Sequence, residues 1–318
     1  MSTLLCVLDW GLGHAARSLA LAEQLRADGE KTDLASCGRA LKFLRRELPG
    51  ETIHELPPYA VRYPTGNMPF NVAVQLPKWL RTIYRERRRT AELVQELGAD
   101  RVISDSRFGC YVPGVKSILL THQLHPIFGF APMSLAYVRY LRRFDEIWVP
   151  DHPGSPLSGE LSAPRGYRNV RFIGPLSRLK PTDPAPTTWR TVSLLSGPEP
   201  MRSQLETTLL RQLPALAGPH LLIRGIPDAR DEQRENITVK GFADAHFLAQ
   251  NLPVAEYIIC RAGYSTLMDL DRLAVSAKLI LIPTPGQTEQ AYLARTQVQR
   301  KDGATVFSQR AIKLSTVL

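Results

Sequence analysis

Long apolar runs are missing from this 318-residue chain. No stretch reaches the roughly 18 to 20 residues of a membrane span, and Met1 to Leu8 lacks the basic flank and long apolar core of a signal peptide. The expected location is therefore the cytoplasm. Cysteine is scarce as well: Cys6, Cys37, Cys110 and Cys260 are scattered without metal-ligand spacing, mostly in apolar, strand-like surroundings. That argues against a disulfide scaffold and a zinc module, and predicts free, reduced thiols. Low-complexity tracts are also missing, which argues against disorder. Acidic residues are in deficit, 30 against 40 basic, for a net charge of +10. The excess lies early in the chain, with 25 basic against 17 acidic residues through Lys180 and 15 against 13 beyond it. The first half is expected to meet something anionic or to stay soluble by repulsion.

What is present is alternation. The strand-like runs LLCVLD, KTDLASC, ETIHEL, RVISD, SILLTH, EIWVP and VRFIG interleave with helical stretches such as Ala15 to Asp28, Arg39 to Glu47 and Trp79 to Gly98. This pattern predicts an α/β layered sheet of parallel strands with crossover helices. The proline-rich tract from Gly174 to Thr188 breaks the pattern, and a second α/β series follows it. The expected organisation is two Rossmann-like domains, 1–178 and 191–318, joined by a linker at 179–190 and facing each other across a cleft that holds the site.

The turn "DWGLGHAARS", Asp9 to Ser18, stands between the first strand and the first helix. Gly11, Gly13 and Ala16 fit the dinucleotide fingerprint, but that motif also needs an acidic residue at the end of the second strand. Asp33 stands near the start of that strand, with Ser36 and Cys37 at its end. His14 is the more informative residue. A helix N-terminus favours anions and keeps a nearby imidazole neutral, which suits a general base or an oxyanion donor; a simple turn cap is the competing role. Asp105 in "ISDSRFG" is the second candidate base, and His122, after SILLT, would face the same crevice unless it serves only loop hydrogen bonding. Arg17 and Arg107 could meet phosphate or stay solvated.

The second half repeats the device. "CRAGYSTLMDL", Cys260 to Leu270, places Gly263, Ser265 and Thr266 at a strand-to-helix turn whose free amides could hold phosphate oxygens, with Asp269 on the same side of the helix. "IPTPGQTEQ", Ile282 to Gln290, adds Gln287, Glu289 and Gln290, polar groups suited to a polyhydroxylated ligand. These residues resemble the GT-B nucleotide-sugar glycosyltransferases, in particular the N-acetylglucosaminyltransferases of cell-wall lipid precursors. The resemblance is strongest over Cys260 to Ala294, and is supported by GLGH-x-x-R at the start and by "LLTHQ" at Leu119 to Gln123.

The resemblance implies a nucleotide-sugar donor, a UDP sugar above all, and an acceptor that can be lipid-linked. It implies that Asp269 contacts the ribose, where the family usually has glutamate. Arg261, Gly263, Ser265 and Thr266 would lie by the diphosphate, Gln290 at the donor sugar and Phe242 by the base. Gly13 and His14 would stand next to diphosphate and acceptor. One departure stands out: "LLSGPEP", Leu194 to Pro200, replaces a glycine-rich turn, and Pro198 and Pro200 have no amide to donate. Ser196, Gly197, Arg202 and Arg224 are expected to compensate.

The implied chemistry is inverting transfer without a cofactor or metal. Asp269 and Asp271 spell D-x-D, but two residues along a helix diverge by about 200° and cannot chelate together. A nucleotide-sugar hydrolase or 2-epimerase on the same fold is the alternative, and a non-catalytic relative that binds anionic polymers or membranes is a third reading. The run "KWLRTIYRERRRT", Lys78 to Thr90, mixes cations with Trp79, Leu80, Ile83 and Tyr84. It could rest on an anionic membrane at the cytoplasmic face, although packing of its apolar side on the sheet is favoured. Nucleic acid is disfavoured, because no recognition motif accompanies the basic residues.

Overall fold

The computed structural model describes residues 1–59, 68–127, 131–154, 156–226, 228–300 and 302–318. The chain divides into two compact units, Met1–Leu176 and Ser177–Leu318.

The first unit is built on β1 (Ser2–Val7), β2 (Lys31–Ser36), β3 (Ile53–Glu55), β4 (Arg101–Asp105), β5 (Lys116–Leu120), β6 (Glu146–Val149) and β7 (Val170–Phe172). Their order in the sheet is β3-β2-β1-β4-β5-β6-β7, and every pairing is parallel. Parallel neighbours need long crossovers. Four helices serve: α1 (Leu12–Ala27), α2 (Gly38–Glu47), α3 (Met68–Leu97) and α4 (Ala131–Leu141). The near-continuous apolar strands are explained by burial: Leu4 to Val7, Val102, Ile103 and Ile118 to Leu120 are all wholly inaccessible. Chain order reverses between β1 and β4, where Val7 pairs with Asp105. Ligands of such sheets bind at the strand carboxyl ends beside that reversal.

The second unit has β8 (Trp189–Leu194), β9 (His220–Ile223), β10 (Glu232–Arg234), β11 (Ile237–Lys240), β12 (Ala255–Cys260), β13 (Lys278–Leu281) and β14 (Thr305–Val306). They are ordered β10-β11-β9-β8-β12-β13-β14, with the β10–β11 pair antiparallel. The helices are α5 (Met201–Gln212), α6 (Ala245–Asn251), α7 (Tyr264–Arg272) and α8 (Thr288–Arg300). The reversal falls between β8 and β12, where Leu194 pairs with Cys260. The turns after Leu194 and Cys260 therefore emerge side by side. The short β10 and β14 were not expected from the sequence; three charged or amide residues and a two-residue run carry no strand periodicity.

Residues 177–188 contain no helix or strand, yet they are fastened to the second unit. Leu179 is buried, Ser177 donates to Asp269, and the Ala185 N–H reaches the Gln250 carbonyl at 2.9 Å. All four cysteines are free and buried.

Candidate active site

In the first unit the turn after β1 and the end of β4 assemble a polar cluster around Asp105, which is wholly buried. The Ser18 hydroxyl donates to Oδ2 at 2.8 Å, and the Arg17 guanidinium donates through Nε at 3.1 and 3.2 Å and through a further, very close nitrogen. His14 Nδ1 lies 3.0 Å from Oδ1. Burial alone would raise the Asp105 pKa, but the Arg17 charge and the hydrogen bonds from His14 and Arg17 outweigh it and hold the carboxyl well below the usual range. A carboxylate so deeply ionised and so fully occupied is a poor proton acceptor. Asp105, expected as the second candidate base, thus lies buried against the His14 ring.

The turn conformation is set by Gly11, whose φ of +93° places it outside the range of ordinary side chains. Gly13 follows inside the first turn of α1. His14 keeps part of its ring exposed, at 21%, the only member of the Asp105–His14–Arg17 group to do so. His122 is 6% exposed, with Nδ1 3.3 Å from an Arg17 nitrogen. It thus buttresses Arg17. Arg17 itself, expected at phosphate or in solvent, is an interior residue because the buried charge of Asp105 demands a counter-ion.

Arg107 is corrected in the same way. It is wholly buried and ion-paired with Glu86 of α3, equally buried, and donates to the carbonyls of Val7 (3.0 Å) and Pro57 (2.7 Å). Glu86 also accepts from the Tyr59 hydroxyl and from the Gly109 N–H at 2.6 Å. A Cβ at Gly109 would come within 2.5 Å of the Ile83 carbonyl, so glycine is required there. This network holds α3 against the loop after β4. Sequence reasoning missed it, although a lone acid in a basic run, four residues before Thr90 and seven before Leu93, was the available signal.

In the second unit Arg261, expected at the donor, is 1% exposed and braces the interior. Its nitrogens reach Ile282 O at 2.9 Å, Met201 O at 3.1 Å and Gln309 Oε1 at 2.6 Å, tying together three loops at the strand ends. Burial lowers its pKa to about 10, so it stays cationic at neutral pH. Gly197, at φ +104°, lies directly above: a Cβ there would meet Thr284 Oγ1 at 3.4 Å and Arg261 Nε at 3.8 Å. The Thr284 hydroxyl is buried and, among the described residues, has no hydrogen-bond partner. Ser196 and Gly197 are exposed. Arg202 and Arg224, expected to replace missing phosphate donors, instead share Glu206 at 2.7 and 2.6 Å, and each takes a second carboxylate, Glu199 or Glu232. Carboxylates already satisfy both cations.

Helix α7 begins at Gly263 without a side-chain cap, with Ser265 and Thr266 half-buried in its first turn. Asp269 accepts the Ser177 hydroxyl at 2.5 Å, and burial raises its pKa to about 6. Gln290 Oε1 accepts the Thr284 N–H at 2.8 Å, which orients its amide and shapes the Pro-Thr-Pro-Gly loop. Gln287 is exposed, while Glu289 and Phe242 are half-buried. Among the described residues no three His, Cys, Asp or Glu side chains gather as a metal site.

The basic run of α3 divides by face. Glu86, Thr90, Leu93 and Val94 face inward, whereas Leu80 and Tyr84 are 57% and 70% exposed, so part of the apolar side is not packed on the sheet as expected. Arg88 and Arg89 pair with Glu92, Arg89 also with Glu96, and Arg87 lies over Tyr111. Among the described residues no helix is long and apolar enough to cross a membrane.

The two-sheet α/β architecture is also found in known structures. MurG of Acinetobacter baumannii superposes with a TM-score of 0.60 at 15% identity, covering 99% of this chain and 88% of that one. The spinosyn rhamnosyltransferase SpnG, complexed with thymidine diphosphate, gives 0.63 at 16% identity over 94% and 84% of the two chains. An uncharacterized glycosyltransferase of Methanosarcina acetivorans is 25% identical over 320 residues, 91% of this chain and 79% of its own. The fold is therefore GT-B, and the class of protein is a glycosyltransferase. More particularly, residues 225–318 match the glycosyltransferase family 28 C-terminal domain.

Proposed function

We propose that this chain transfers a sugar from a nucleoside diphosphate donor, UDP foremost, to an acceptor hydroxyl with inversion and without a metal. The observation that carries the reading is the 3.0 Å approach of His14 Nδ1 to the buried, ionised Asp105. A carboxylate oxygen only accepts and so draws a proton to Nδ1, in competition with an Arg17 guanidinium nitrogen that lies equally close to Nδ1 at 3.0 Å; the tautomer that Asp105 selects leaves the Nε2 lone pair as base. The acceptor oxygen bonds to the anomeric carbon as its proton passes to Nε2. The bond from that carbon to phosphate oxygen breaks, and its electron pair leaves with the nucleoside diphosphate. SpnG with thymidine diphosphate supports a pyrimidine nucleotide, and keeps dTDP beside UDP as a donor.

The second unit would hold that donor. The uncapped start of α7 at Gly263, Ser265 and Thr266 faces the diphosphate, with the buried Thr284 hydroxyl and the Ser196–Gly197 turn alongside. The buried Arg261 charge lowers the energy of the departing anion through space, without contact. Asp269 takes the ribose, Gln290 and the neighbouring Gln287 and Glu289 the sugar, and Phe242 borders the base. On α3, Leu80 and Tyr84 with Arg81 and Arg85 form an apolar and cationic strip suited to an anionic membrane carrying a lipid-linked acceptor. A panel of UDP and dTDP sugars tests the reading. Release of the nucleoside diphosphate that requires an acceptor supports transfer. Release into water alone supports the hydrolase, and no consumption of any donor overturns both.

A further inference from the structure

Trp10 is an unexplained exposure. It is the residue after Asp9 in the turn that leads to His14, and 42% of its surface meets solvent. An indole carries a large apolar area, and leaving it in water is unfavourable unless something covers it in use. It is also not a loose side chain. Its ring meets Tyr59 at 6.1 Å and 74°, and Phe108 at 6.4 Å and 60°. Phe108 is backed in turn by Tyr140 at 4.9 Å, and the Tyr59 hydroxyl accepts the Phe108 N–H at 3.1 Å. Tyr59 is anchored on Glu86. The indole is thus held edge-on or tilted by a braced cluster, and among the described residues no ring lies parallel on its face.

The same two loops hold His14. The segment after β1 carries Trp10 and His14, while the end of β4 and its loop carry Asp105, against His14, and Phe108, against Trp10. Four residues span at most about 14 Å. Indole and imidazole are therefore carried close together by the same two braced loops.

We propose that Trp10 is the acceptor-positioning residue: the acceptor lays the apolar face of a ring, pyranose or aromatic, on the indole, so that its hydroxyl meets the exposed edge of His14. This rests on the transferase reading for what the bound ring then does, but the contact itself is testable without turnover. The indole N–H cross-peaks of Trp10, Trp79, Trp148 and Trp189 are resolved in a 15N-labelled sample, with Trp10 assigned by its absence in Trp10→Phe. Methyl β-D-glucopyranoside supplies a pyranose alone and 2-naphthol an aromatic ring alone. A saturable shift confined to Trp10 with either probe is expected and identifies the source of the ring. In Trp10→Ala the affinity for that probe, read by saturation transfer, falls about five- to tenfold, and Trp10→Phe recovers most of it. Shifts at none of the indoles, or equal probe affinity in a well-dispersed Trp10→Ala, overturn the inference. Calorimetry of UDP and dTDP on the same sample reports separately on the transferase reading: nucleotide binding with a silent Trp10 sinks the ring contact alone.

Discussion

Replacing Asp269 by asparagine should stabilise the protein at neutral pH while weakening it as a nucleotide binder. Burial raises this carboxyl from 3.8 to about 6 in the folded state. A raised acid pKa means that the folded chain binds more protons than the unfolded one between those values. Stability is then present at low pH and is lost as pH rises through the window. At 1.36 kcal/mol per unit, the ionised side chain costs about 3 kcal/mol at pH 7.5 and about 1 kcal/mol at pH 4.5. Asparagine keeps an oxygen for the Ser177 hydroxyl, 2.5 Å away, and never ionises. Urea unfolding of parent and variant at the two pH values should show a variant advantage larger by about 2 kcal/mol at pH 7.5, with an unchanged slope. An advantage independent of pH refutes the account of Asp269. The same sample should bind UDP more weakly, because a ribose hydroxyl loses its charged acceptor.

Breaking the buried pair through Glu86→Gln leaves Arg107 uncompensated and should cost about 3 to 5 kcal/mol in urea unfolding; a loss below about 1 kcal/mol contradicts the network. Asp105 has a depressed pKa, so it contributes stability above the ordinary carboxylate range and loses it as pH falls through its folded value. Asp105→Asn should therefore flatten the acid limb of a stability profile below about pH 4, and an unchanged limb refutes the assignment. Among the described residues Arg81 and Arg85 stand exposed without an ion pair, whereas Arg88 and Arg89 are paired. Neutralising Arg81 and Arg85 should weaken sedimentation with anionic vesicles at low salt, and equal sedimentation of mutant and parent retires the membrane contact.

Much of the architecture was legible because parallel strands buried on both faces must be continuously apolar. LLCVLD, SILLTH and YIICRAG announce themselves in that way, and the two turns at His14 and Gly263 follow directly from strand ends. Side-chain partners were not legible. Arg17, Arg107 and Arg261 look alike in the sequence, and what separates them from solvated arginines is a carboxylate or a set of carbonyls brought close by residues 21 to 88 positions away. Arg202 and Arg224 are likewise held by carboxylates, with Glu206 shared between them. Trp10 passed unremarked because exposure cannot be read from a single aromatic beside a glycine.

The central claim, that His14 takes the acceptor proton while the second unit holds the donor, meets its most direct test in single-turnover release of nucleoside diphosphate by His14→Ala. The rate should fall at least a hundredfold, about what a positioned base contributes, with UDP affinity by calorimetry unchanged. An undiminished rate in that variant would contradict it.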